Sequence, residues 1–119
     1  MKIRKKEELI HSKPEVENYA FSSSAKIFQT KQLFLYSEKI EPGKRSSKPH
    51  YHKALDEILV VTKGELLAFE GDESSLLKKG DSVCFLANSE KKHYLENQSS
   101  EDAEFLLFRK NISQEDVVY

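Results

Sequence analysis

The feature that most constrains this chain is a series of short apolar runs, each broken off by a turn. "QLFLY" (32–36), "EILVV" (57–61), "ELLAFE" (65–70), "SLLKK" (75–79), "SVCFLA" (82–87), "HYLEN" (93–97) and "EFLLFR" (104–109) hold five or six residues each. Gly43, Gly64, Gly71 and Gly80 fall in the polar stretches between them. Runs this short exclude a helical middle, which needs about 10–12 periodic residues. Short strands separated by turn residues predict an all-β sandwich or barrel. Several runs are apolar at successive positions, as for strands shared between a core and a lined cavity or partner surface.

At 119 residues the chain suits one domain. A chain of that size buries about two thirds of the surface its unfolded form exposes, enough for one core. The runs place the β-domain at 25–110, after a partly irregular N-terminal extension (1–24) and before a C-terminal tail (111–119) that carries no firm signal. Within the extension, "KKEELI" can form a helical turn and "ENYAFSSSAK" reads as a loop leading into a strand.

Charge excludes some partners. With 19 basic and 20 acidic residues, no global field points to nucleic acid or to an anionic membrane. The basic start "MKIRKKEELI" reads as a solvated end. No run approaches the ~20 apolar residues of a membrane span, and the start lacks a signal-peptide core. A lone cysteine, Cys84, excludes an intrachain disulfide framework. A cytoplasmic location is the resulting expectation. Asn111-Ile112-Ser113 matches a glycosylation acceptor, but nothing else suggests secretion, so it carries no weight.

Two histidines open the most apolar stretch, in "KPHYHKALDEILVVTKG" (48–64). Pro49 favours an extended entry. Residues two apart on a strand share a face, so His50 and His52 project together, about 6–7 Å apart at Cβ, with Tyr51 opposite. A bend at "KALD" brings Glu57 alongside, and an antiparallel fold can place His93 across from the pair. Three imidazoles and one carboxylate suit a borderline divalent metal such as Mn, Fe, Co, Ni, Cu or Zn. Such a set leaves positions open for water or substrate, the arrangement of a catalytic site. Spacing alone also fits a solvated histidine pair, with Glu57 on a lysine and His93 in solvent.

The order His50-x-His52-x4-Glu57-x6-Gly64 resembles the first motif of the cupin superfamily. Gly43 stands upstream, one residue further away than in the usual pattern. The second motif resembles "GDSVCFLAN" (80–88) followed by His93-x3-Asn97, after fifteen residues counted from Gly64. The similarity spans about residues 32–109 and is nearest to small single-domain cupins of unassigned function. It implies a double-stranded β-helix, a homodimer, and one divalent transition metal (Mn, Fe, Ni or Zn) held at the positions of His50, His52, Glu57 and His93. The chain departs from the pattern at Leu86, Asn88 and Lys92, and His93 falls two residues late, which makes His93 the least secure ligand. Asn88 stands where the family has glycine and can take the left-handed conformation.

Function then divides. The first reading is a metal-dependent enzyme acting on a small polar substrate at the barrel mouth, with reaction type unassigned and no further acid or base that can be named. The second is a binding module for a small sugar or carboxylate, and the third is a cupin with a vestigial site. A positioned Tyr, Lys, Arg or Glu within reach of the metal separates the first from the second. No GxGxxG, P-loop or nucleophile elbow is present. Cys84 reads as a small buried hydrophobe, His11 as solvated, and Asn97 as a turn-forming or backbone-bonding residue. Tyr36, Phe69 and Phe85 read as core packing before pocket lining.

Overall fold

A computed structural model describes residues 1–112 and 116–119, so Ser113 of the acceptor triplet lies outside the described residues. All seven apolar runs form strands. The strands are β1 (Ser23–Gln29), β2 (Leu33–Ile40), β3 (Tyr51–His52), β4 (Glu57–Lys63), β5 (Glu65–Glu70), β6 (Glu73–Lys78), β7 (Ser82–Phe85), β8 (His93–Glu96), β9 (Ala103–Lys110) and β10 (Val117–Val118). One 3-10 turn, Lys6–Glu8, falls inside "KKEELI".

The strands form a five-stranded sheet in the order β1-β2-β9-β4-β7, a three-stranded sheet β6-β5-β8, and a β10-β3 pair. Their pairings are antiparallel. The two larger sheets close on one core as a double-stranded β-helix. Leu59, Val61, Phe105 and Ile40 of the first sheet meet Leu66, Leu77 and Leu95 of the second. Period-two alternation decides which residues go inside. On β4, Glu57, Leu59 and Val61 are buried while their neighbours are less so, and on β9 Ala103, Phe105 and Arg109 are buried.

Two turns explain the punctuation. Gly64 joins β4 to β5 at φ 68°, and a Cβ there would stand 3.0 Å from the Asp102 carbonyl oxygen. That crowding and the left-handed backbone require glycine. Asn88 takes φ 55°, the conformation expected of it in the loop that leads to His93.

Two expectations are corrected. Cys84 is exposed, because β7 alternates Val83 and Phe85 inward and turns Cys84 out. The apolar look of "SVCFLA" hid that period. His11 is part-buried, not solvated. Ser12 pairs with Ser24 of β1, which lays the N-terminal segment on the sheet and brings His11 Nε2 within 2.9 Å of Ser37 Oγ. Burial there lowers the His11 pKa against the opposing pull of Glu104.

Candidate metal centre

The site begins at one isolated bridge. His50 and His93 exchange backbone hydrogen bonds of 3.3 Å and 2.8 Å, which ties the segment entering β3 to the start of β8. His52 follows in β3, and Glu57 opens β4. The bend between them is held at both ends: the Ala87 N–H donates to Asp56 Oδ1 at 2.8 Å, and the Asn88 N–H donates to the His52 carbonyl at 2.6 Å.

All four residues singled out from the sequence come together. Glu57 Oε1 lies 3.7 Å from His50 Nε2, 3.2 Å from His52 Nε2 and 2.9 Å from His93 Nε2. One atom from each of His50, His52 and Glu57 falls within 4.8 Å of the others, a spacing that lets them share an ion, whereas His93 lies outside that group and meets it through Glu57. His52, Glu57 and His93 are buried. Burial alone would raise the Glu57 carboxyl, but hydrogen bonds from the three imidazoles hold it well below the usual carboxylate range.

The rings are oriented from behind. His50 Nδ1 donates to the Lys48 carbonyl at 2.8 Å, and His52 Nδ1 donates to Asp116 Oδ1 at 2.9 Å. A carbonyl and a carboxylate can only accept, so both Nδ1 atoms carry hydrogen, and each ring turns its Nε2 toward Glu57. At these distances a proton or a cation must lie between each Nε2 and the carboxylate oxygen: with a proton the contact is a hydrogen bond, and an ion would take the proton's place. Two imidazole nitrogens and one carboxylate oxygen, with the His93 imidazole beside them, are a donor set that fits a borderline divalent metal. Burial works to lower the His52 pKa, but Glu57 and Asp116 outweigh it and raise the value. His93 is pinned by packing: Phe85 stacks on its ring with centroids 3.9 Å apart and planes 1° apart. Its Nδ1 is buried with no hydrogen-bond partner among the described residues.

Asp116 had no signal in the sequence. It precedes β10, which pairs with β3 and brings the tail back over the site. Its Oδ1 takes the His52 bond, and its backbone carbonyl accepts from Lys53 N–H at 2.9 Å.

A cavity of about 230 Å³ opens beside the four residues. Its lining includes two further charged groups that sequence reasoning missed, Glu38 and Arg109. Both sit at inward positions of strands whose apolar members were recognised, two residues beyond Tyr36 and Leu107. That two-residue step was the available signal. Glu38 accepts hydrogen bonds from Ser24 Oγ and, at 3.2 Å, Ser22 Oγ. Burial outweighs those bonds and raises its pKa to about 6. Phe85 both packs in the core and lines this cavity. Asn97 does what its position suggested: Nδ2 donates to the Ile40 and Glu101 carbonyls, and Oδ1 accepts from Ser99.

The fold, the turn glycines and this cluster define a cupin, and the sequence comparison agrees: residues 36–109 match the cupin domain family, so the chain belongs to it. No curated protein matches the chain. Solved structures do. A sugar phosphate isomerase of the cupin superfamily from Silicibacter pomeroyi is 28% identical with a TM-score of 0.73, over 76% of this chain and 60% of its own. The chain thus spans less than two thirds of that isomerase. An uncharacterized conserved protein with a double-stranded β-helix domain from Klebsiella pneumoniae is 16% identical with a TM-score of 0.78, over 99% and 96% of the two chains. A predicted oxalate decarboxylase from Thermotoga maritima is 23% identical with a TM-score of 0.66, over 76% and 81%. Among the described residues no helix is long and apolar enough to cross a membrane.

Proposed function

We propose that this cupin is a metal-dependent enzyme acting on a small polar substrate inside the barrel. One observation carries the reading: the cavity beside the three imidazoles and Glu57 also presents Glu38 and Arg109, two ionisable groups outside the ligand set. A pocket of ligands and apolar walls alone would favour a binding module. His50, His52, Glu57 and His93 would hold one divalent transition ion. When bound, the ion supplies Lewis-acid polarisation of a substrate oxygen. Glu38 is the acid or base. With its carboxyl raised to about 6, it can both hold and release a proton near neutral pH. Leu59, Phe85, Phe105 and Leu107 wall the cavity and limit water. The similarity to a sugar phosphate isomerase and to a predicted oxalate decarboxylase supports a small polar substrate without choosing the reaction.

The test is elemental analysis by mass spectrometry of tag-free protein purified without chelator, beside His50→Ala and His93→Ala. The expected result is about one equivalent of Mn, Fe, Ni or Zn, lost in both variants. No metal after reconstitution would leave the vestigial reading standing. A homodimer is the second expectation. An apolar row crosses the outer face in register, Leu35 opposite Phe108, Phe108 opposite Ile58, and Ile58 opposite Cys84. Light scattering of the full chain checks it, and a monomer at high concentration overturns it.

A further inference from the structure

We propose that Arg109 anchors an oxyanion of the substrate, so that the cavity takes a small carboxylate- or phosphate-bearing molecule. This rests on the enzyme reading and narrows it. Arg109 ends the inward row of β9 and is only 7% exposed. A charge that deep needs a partner. The natural one is Glu57, directly across on β4, but its Oε1 is turned to the three histidines. Among the described residues, no ion pair includes Arg109. Among the described residues its side chain makes one long hydrogen bond, Nη1 to the Lys110 carbonyl at 3.4 Å.

The guanidinium is nonetheless fixed in place. Its Cζ lies 4.1 Å from the centroid of the Phe34 ring, and Phe34 stacks on Tyr36 with centroids 4.0 Å apart. A cation held over a ring keeps its in-plane N–H donors for another acceptor. A guanidinium carries five such donors in a fork that matches the oxygens of a carboxylate or a phosphate. A ligand without a negative group would leave that fork unsatisfied. The cavity of about 230 Å³ suits a small ligand.

The experiment is isothermal titration of the zinc-loaded protein with lactate, with its neutral counterpart lactamide, and with inorganic phosphate, repeated on Arg109→Gln. Metal content is measured on both proteins first. The ion contributes to both proteins alike, so the change in the lactate-to-lactamide affinity ratio isolates Arg109. In the wild type, lactate or phosphate is expected to bind more tightly than lactamide. In Arg109→Gln that preference should fall on the order of 10- to 100-fold. Which of the two anions shows the Arg109 dependence distinguishes a carboxylate substrate from a phosphate one. An unchanged ratio, or no anion preference in the wild type, overturns the inference.

If Arg109→Gln does not fold, the wild type still decides. The chain has three arginines, and the Nε–H signal of Arg109 is assigned by its loss in Arg109→Lys. That signal should move with lactate or phosphate and stay fixed with lactamide. No movement with either anion overturns the proposal. Failure of the enzyme reading shows separately, as wild-type protein that takes up no metal, and the anion ratio can still be read on that protein.

Discussion

β4 and β9 lie side by side, and their inward faces change chemistry from one end to the other. At the mouth, Glu57 stands opposite Arg109; one step in, Leu59 faces Leu107; at the floor, Val61 faces Phe105. Burial is alike at the two ends of this ladder, with Leu107 between them only partly buried: Glu57 is 6% exposed and Arg109 7%, against 1% for Val61 and 2% for Phe105. The fold therefore sets what is buried, and it does so by alternation alone. What differs is the cost. An apolar pair at the floor gains from burial, whereas an ionisable pair at the mouth loses hydration and must recover it from partners. Glu57 recovers it from three imidazoles. Arg109 recovers it only in part, and the proposed substrate anion would make up the difference.

The largest effect should come from the floor. Phe105→Ala removes a buried aromatic and leaves a cavity, at a cost of about 3–5 kcal/mol of stability. Chemical denaturation measures it, and the fraction that remains folded should keep its metal. A loss under about 1 kcal/mol, or folded protein without metal, would break the division between floor and mouth.

A smaller effect should appear behind the mouth. Asp116 touches no candidate ligand but His52, so Asp116→Asn should weaken metal affinity about 10- to 100-fold. The same variant should unfold close to wild type in metal-free buffer. Competition with a metal indicator reads the first quantity and a thermal melt the second. Equal metal affinity in variant and wild type would reduce Asp116 to a strand anchor.

Legibility in the sequence follows the same line. The floor was readable because apolar runs between turn residues announce strands, and the four candidate ligands were readable because spacing and family resemblance coincide. Glu38 and Arg109 were missed because Arg109 ends an apolar run and Glu38 lies just past one, where a charge looks like the return to solvent. Only counting on by two from Tyr36 and Leu107 puts them inside. Cys84 failed for the opposite reason: in a run apolar at nearly every position, composition conceals which residues alternate outward. Asp116 was beyond reach, since two short strands, β3 and β10, bring it to His52 across 64 residues of chain.

Glu38 gives the finest test, because it is a charged cavity residue level with the floor, opposite Phe105, and its burial cost depends on pH. Its pKa is about 6 in the fold against 4.5 for the free group. Between those values the folded chain keeps a proton that the unfolded chain releases. Glu38 thus favours the fold fully below pH 4.5, and that contribution is lost as pH rises through about 6. At pH 8 the buried carboxylate costs about 2 kcal/mol. Glu38→Gln keeps an acceptor for Ser22 and Ser24 and removes the charge. It should be about 2 kcal/mol more stable than wild type at pH 8 and equal to it at pH 4, by denaturant midpoints. It should bind metal normally and lose turnover. Equal stability at both pH values would mean that Glu38 is well solvated and belongs to neither end. A gain at pH 8 together with lost turnover would identify a charge kept in the cavity against the preference of the fold, which is the expected mark of a group retained for chemistry.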